Sequence, residues 1–78
     1  MKTILKPQRT VEELLEDSYL HTRSALLETA ATFDRLQRLG GDDFMKSEKI
    51  KRLKEACYLI ADEQENRTVR FLKLFSEE

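Results

Sequence analysis

The sequence contains few of the features that brace small extracellular domains. Cys57 is the only cysteine, so the chain cannot form an internal disulfide. A lone cysteine without a secretory leader predicts a reducing compartment, which we expect to be the cytoplasm. No apolar run is long enough for a signal-peptide core or a bilayer span, so the sequence predicts no membrane insertion.

An excess of charge of one sign is also missing. Charged residues make up 37% of the chain, yet the formal net charge is -1. A chain with almost no net charge has no overall electrostatic attraction for nucleic acid or an anionic membrane, so we expect a protein partner. One basic patch keeps nucleic-acid binding as a weaker alternative. It consists of Arg35, Arg38, Lys46, Lys49, Lys51, Arg52 and Lys54.

Motifs of catalysis and cofactor binding are absent from the sequence. There is no phosphate-binding glycine loop, nucleophile elbow or metal-ligand cysteine spacing, so we expect neither an enzyme nor a cofactor. The only histidine, His21, has Asp17 one turn before it and Glu28 two turns after it. Bundle metal sites use a Glu-x-x-His pattern, but Ser18 stands at the glutamate position. We interpret His21 as structural; a metal- or cofactor-holding bundle, with its site formed only in the oligomer, is the alternative.

The residues that are abundant predict long helices. With two glycines and one proline, the chain is rich in Leu, Glu, Lys, Arg and Ala, the usage typical of helices. Thr10 and Glu13 have the spacing of a capping box, which predicts a first helix over about 11–39. Residues 1–9 are expected to form an extended arm, because Pro7 disfavours helix in the residue before it. The apolar stripe of this helix comprises Val11, Leu15, Tyr19, Thr22, Leu26, Ala30, Phe33 and Leu36.

A tight turn is predicted at Gly40-Gly41, followed by a second helix over about 43–76. Asp42 or Asp43 could cap this helix, and Ser47 offers a later start. Its apolar positions recur at three- and four-residue steps, the spacing of a coiled-coil seam. The seam comprises Ile50, Leu53, Cys57, Ile60, Gln64, Arg67 or Thr68, Phe71, and Leu74 or Phe75. In it, Cys57 is interpreted as a small buried apolar residue.

These patterns predict an all-α protein in which residues 10–78 form an antiparallel two-helix hairpin. Two helices cover only part of each other's apolar arcs, so we expect a homodimer that forms a four-helix bundle. Apolar residues away from the seams are interface candidates: Leu20, Leu27, Ala31, Tyr58, Leu59 and Leu72. A polar layer of Tyr19, Thr22 and Gln64 is expected to set the register.

The distribution of charge favours an antiparallel pair of hairpins. The basic patch lies at the turn end, and acidic residues cluster towards the other end, so antiparallel packing brings opposite charges together. The acidic residues are Glu12, Glu13, Glu16, Asp17, Asp62, Glu63 and Glu65. In size and architecture, the predicted hairpin is similar to small helical-hairpin proteins that act as secretion co-chaperones or regulatory subunits. The sequence therefore predicts a non-enzymatic helical interaction module, which works as a homo-oligomer or as an adaptor for a partner helix.

Overall fold

The first helix begins at a capping box. In the computed structural model, which describes residues 10–76, helix α1 spans Val11–Gly40. The Thr10 amide donates to Glu13 Oε1 at 2.9 Å, and the Glu13 amide donates to Thr10 Oγ1 at 3.1 Å. Each side chain thus satisfies a backbone donor that the first turn of a helix leaves without a carbonyl partner. The predicted capping box is confirmed, whereas the expected arm over residues 1–9 lies outside the described residues.

The chain is helical throughout most of its described length. Three shorter helices follow α1: α2 (Asp42–Lys46), α3 (Glu48–Ala61) and α4 (Arg67–Leu74). Residues 10–76 contain no strand, in agreement with the predicted all-α class. The described residues divide into two units, with the boundary inside α1 between Arg35 and Leu36.

The turn after α1 depends on Gly41. Gly40 belongs to the helix, while Gly41 has φ +53° and ψ -125°, a conformation that side-chain-bearing residues rarely adopt. The Gly41 amide still donates to the Gln37 carbonyl at 3.2 Å, and the Gly41 carbonyl accepts from the Phe44 amide at 3.1 Å. The residue with a positive φ is therefore Gly41. The sequence predicts a first helix that ends at about residue 39, which would place the positive φ one residue earlier, at Gly40.

The predicted second helix over about 43–76 is interrupted twice in the structure. The first break is at Ser47, whose backbone is extended and whose hydroxyl accepts from the Ile50 amide at 3.2 Å. Ser47 therefore caps α3, and α2 begins at Asp42 without a side-chain cap. The sequence offered Asp42 or Ser47 as the start of the second helix. In the structure, α2 begins at Asp42 and α3 begins directly after Ser47.

The second break covers residues 62–66, between α3 and α4. Asp62 is extended, and its Oδ1 accepts from the Gln64 amide at 3.0 Å, an Asx-type bond that competes with continued helix. Asn66 has φ +63°, in the left-handed region that asparagine tolerates better than most residues. A local side-chain bond and a positive φ therefore end the helix where apolar periodicity predicts that it continues.

The second unit packs around one aromatic side chain. Phe44 and Ala56 are the buried side chains among residues 10–76. The Lys54 ammonium lies 5.0 Å from the centre of the Phe44 ring, in a cation–π contact. In α4, the rings of Phe71 and Phe75 are 4.8 Å apart and tilted by 41°. The core is small, since Phe44, 5% exposed, is the one large buried side chain among the described residues.

The buried side of α3 is shifted by one residue relative to the predicted apolar seam. Ala56 is buried and Leu59 is half-buried, whereas the predicted seam residues Cys57 and Ile60 are exposed. The interpretation of Cys57 as a buried residue is therefore wrong. In this unit α3 contacts the short helices α2 and α4, which cover a different side of it from the one that a long coiled-coil partner would cover.

Candidate functional site

The candidate site is the apolar stripe of α1, which we call the α1 face: Val11, Leu15, Tyr19, Thr22, Leu26, Ala30, Phe33 and Leu36. No residue of α1 is buried. Tyr19 is 54% exposed and Leu26 is 57% exposed, while Phe33 and Leu36 near the end of the helix are half-buried. The helix thus presents a continuous row of apolar side chains to solvent over several turns, a feature typical of protein interaction surfaces.

Threonines beside the α1 face use their hydroxyls within the helix. Thr29 Oγ1 donates to the Ala25 carbonyl at 2.9 Å, and Thr32 Oγ1 donates to the Glu28 carbonyl at 2.9 Å. The Arg35 guanidinium in turn donates to Thr32 Oγ1 at 3.1 Å. Because a hydroxyl bonded in this way already has a partner, its burial against another surface carries less of the usual desolvation penalty.

The predicted off-seam residues of α1 are also largely accessible. Leu20 is 70% exposed and Leu27 is 65% exposed, whereas Ala31 is half-buried. They lie on the side of the helix away from the α1 face. Scattered surface leucines are normal in folded proteins, so these three residues form a smaller surface than the α1 face.

The charges of α1 change sign along the helix. Its first two turns carry a group of four acidic residues, Glu12, Glu13, Glu16 and Asp17, all of them exposed. Near its end lie the exposed guanidinium groups of Arg35 and Arg38. This distribution complements the helix dipole, which is positive at the start and negative at the end. The helix is therefore acidic at its start and basic at its end, but Asp17 and Arg35, each nine residues from Leu26, lie on the side opposite the α1 face.

In the second unit, a charged pair holds the loop between α3 and α4. Arg70 Nη1 and Nη2 donate to the two carboxylate oxygens of Asp62 at 3.0 and 3.1 Å, a bidentate arrangement. Arg70 also donates to the carbonyls of Glu65 and Gln64, at 3.0 and 3.2 Å. Arg67 donates to the Asp62 carbonyl. The loop backbone is thus bonded to the first turn of the helix that follows it.

This pairing affects the pKa of both groups. The hydrogen bonds from the Arg70 side chain, followed by the bond from the Gln64 amide, hold the pKa of Asp62 below its usual value. The hydrogen bond to the Asp62 side chain raises the pKa of Arg70 above its usual value. Both groups are therefore held in their charged forms. We interpret the pair as a structural clamp, because its bonds end on the loop itself.

A shallow apolar groove lies on the same unit. It is lined by Ile60, Arg67, Thr68, Phe71 and Leu72. Leu72, an interface candidate, is 64% exposed here, and Ile60 is 48% exposed. The groove is a second accessible apolar surface, smaller in extent than the α1 face.

The other predicted site residues have separate positions. In α3, Tyr58 is 75% exposed and Leu59 is half-buried. Of the predicted polar layer, Tyr19 and Thr22 lie one turn apart on the α1 face, whereas Gln64 lies in the loop between α3 and α4. The break in the second helix therefore removes Gln64 from the helical seam in which the sequence pattern placed it.

The candidate ligands of the alternative metal site lie along one exposed side of α1. Asp17, His21 and Glu28 are all exposed. Within residues 10–76, no three His, Cys, Asp or Glu side chains are grouped closely enough to hold a metal ion. A single described chain thus has no such cluster, and a site shared between subunits stays an untested alternative.

Arg70 is the residue of structural importance that the sequence pattern missed. Its partner Asp62 is eight residues away, a separation outside the three- and four-residue pairs that helix periodicity detects. A usable signal was the polar run at residues 62–66, which contains an Asp and an Asn, both typical of turns. Such a run at the expected centre of a helix indicates a break.

Comparisons with known proteins give no information about function, so the fold and the described surfaces are the basis for assigning it. No protein-family model, curated protein or solved structure matches this chain. Within the described residues, no helix combines the length and the apolar character needed to cross a bilayer. The chain therefore belongs to the class of small all-α proteins, with one long helix whose apolar side chains are accessible.

Proposed function

We propose that this chain is a non-enzymatic helical interaction module that associates with itself through the α1 face. The observation that carries the proposal is the exposure of this face, since Tyr19 and Leu26 are more than half exposed. Burying such side chains releases about 25 cal/mol for each Å² of apolar surface, which favours association. The homo-oligomer, rather than an adaptor for a different protein, is the form that we propose.

A small core in the rest of the chain supports the same proposal. Phe44 and Ala56 are the buried residues of the described part, and Phe44 is the only large one of the two. At about this size, apolar burial roughly balances the conformational entropy lost on folding unless another interaction contributes. Association supplies that contribution, because a partner that binds only the folded chain stabilises it.

The finer form of the proposal is the architecture that the sequence predicts. In this architecture, α1 packs antiparallel against the segment that contains α2, α3 and α4, and two such hairpins associate into a four-helix bundle. In this form the α1 face supplies inner positions of the bundle. The exposed Leu20 and Leu27 would then lie on its outer surface, available for a further partner.

The experiment that tests self-association is multi-angle light scattering across a concentration series. We expect the wild-type chain to have a dimer's mass at micromolar concentration. Leu26→Glu would place a charge in the middle of the α1 face, where burial without a partner is strongly unfavourable. The variant should weaken the dimer on the order of 100-fold, which corresponds to about 3 kcal/mol.

The matched control is Ser24→Glu, which adds the same charge to the same helix. Ser24 is exposed and lies on the side of α1 opposite Leu26. The control should keep the wild-type mass, and circular dichroism should show equal helix content in both variants. A monomeric wild-type chain at the highest concentration tested would contradict the proposal, as would equal effects of the two variants.

A further inference from the structure

We infer that the break at residues 62–66 is a conditional hinge: the Asp62–Arg70 pair keeps it closed, and its opening joins α3 and α4 into one continuous helix. The inference concerns the second unit alone and does not depend on self-association. It follows from three properties of this part of the chain: the residues that form the break, the bonds that hold it, and the apolar positions on either side of it.

The break contains no residue that forces a helix to end. The chain has neither glycine nor proline after Gly41, although these residues are common causes of helix breaks and kinks. Residues 62–66 are Asp, Glu, Gln, Glu and Asn, among which Glu and Gln are good helix formers. Asn66 has φ +63°, a left-handed backbone that is unfavourable for a residue with a side chain. The local sequence is therefore compatible with a break and with a continuous helix.

The broken form is held by side-chain bonds to the loop. Asn66 makes no capping bond to α4, a helix of eight residues, which is too short to be stable alone. Arg70 supplies two bonds to the Asp62 carboxylate and two to loop carbonyls, and Arg67 adds a bond to the Asp62 carbonyl. The Arg70 and Asp62 side chains are 30% and 36% exposed. Because water reaches both, their attraction is weaker than that of an enclosed pair, and a small change can release it.

The apolar positions of α3 and α4 fit a single helix. Leu53, Ile60 and Phe71 are seven and eleven residues apart, so in a continuous helix they lie within about 20° of one another around the axis. Ile60 and Phe71 would then be about 17 Å apart along the axis. In the structure they line the same shallow groove, because α4 turns back towards α3. Opening the hinge therefore replaces this groove with a straight apolar row.

The closed form buries the groove residues only in part. Ile60 is 48% exposed, Phe71 is 37% exposed and Leu72 is 64% exposed. Apolar contact between α3 and α4 thus uses only part of the burial that these side chains could provide, and it favours the closed form less than a fully packed interface would. Two conformations of similar free energy can exchange, and a change that acts on one of them shifts their populations.

The test is a distance between two spin labels in one chain. The labels are attached at Lys51→Cys and Lys73→Cys in a Cys57→Ser background, and both lysines are exposed. These positions are 22 residues apart, so a continuous helix separates them by roughly 33 Å. The wild-type hinge should give a shorter distance, because α4 contacts α3. An excess of unlabelled protein restricts the measurement to distances within one chain.

Three variants act on the hinge in opposite directions. Arg70→Gln removes the charge and the bidentate bond, so the distance should lengthen to that of the continuous helix. Asn66→Ala should lengthen it as well, because alanine favours helix and rarely adopts a positive φ. Asn66→Gly is the matched control at the same position and should keep the short distance, because glycine accepts a positive φ. Backbone chemical shifts of residues 62–66 show in each variant whether the segment has become helical.

The results distinguish a hinge from a fixed end of α3. Long distances with helical shifts at residues 62–66 in Arg70→Gln and Asn66→Ala, and short distances in the wild type and Asn66→Gly, support the inference. A short distance in Arg70→Gln would show that the pair does not keep the hinge closed. A broad range of distances, with loss of helical shifts in α4, would show that α4 unfolds instead of joining α3. A wild-type distance of roughly 33 Å would also overturn the inference.

Discussion

Arg70 in α4 donates hydrogen bonds to both carboxylate oxygens of Asp62, eight residues earlier in the chain, at 3.0 and 3.1 Å. The same guanidinium binds two carbonyls of the intervening loop. One side chain thus contacts three residues of the segment between α3 and α4: Asp62, Gln64 and Glu65. Arginine suits this role because its planar group carries five donors in a fixed arrangement.

Replacing this guanidinium should destabilise the second unit. Arg70→Lys keeps the positive charge but cannot bind both carboxylate oxygens and two carbonyls together, so we expect a lower melting temperature. Arg70→Ala should lower it at least as far. Lys73→Ala, in the same helix and exposed, is the matched control and should change the melting temperature little. A lysine variant that melts like the wild type would show that the bidentate geometry is unimportant.

The contribution of the Asp62–Arg70 pair should depend on pH. Because folding holds the pKa of Asp62 below its usual value, the stabilisation is fully present above the unfolded-state pKa of about 3.9 and is lost as the pH falls through the lower folded-state pKa. We therefore expect wild type to be more stable than Asp62→Asn near neutral pH, with the difference shrinking below about pH 4. Thermal unfolding at a series of pH values measures this difference. A difference that stays constant down to pH 2 would argue against the carboxylate as its source.

The two adjacent glycines should respond differently to the same substitution. Gly41→Ala forces a side chain into a conformation with φ +53°, which we expect to destabilise the chain by about 1–3 kcal/mol. Gly40→Ala is the control, because Gly40 is helical and an added Cβ would meet Phe44 Cβ at 3.6 Å, an ordinary contact. It should be neutral or stabilise by up to about 1 kcal/mol. Urea unfolding of both variants tests this, and equal effects would show that the turn does not depend on Gly41.

The sequence by itself determined the local features of this protein. The Thr10–Glu13 capping box and the helical class follow from neighbouring residues, since caps and helical bonds join residues three or four positions apart. The turn at Gly40-Gly41 follows from the conformational freedom of glycine. The amphipathic stripe of α1 can be recognised for the same reason, because helical periodicity depends on nothing distant.

Only the tertiary structure decided which side of α3 is covered and where the second helical segment breaks. Periodicity favoured Cys57 and Ile60 as inner residues, but packing of the short helices beside α3 covers Ala56 and Leu59 instead. The break at residues 62–66 combines the local Asp62–Gln64 bond with bonds from Arg70, eight residues from Asp62. Both outcomes involve contacts outside the three- and four-residue spacing of a helix, and apolar periodicity gives no information about such contacts.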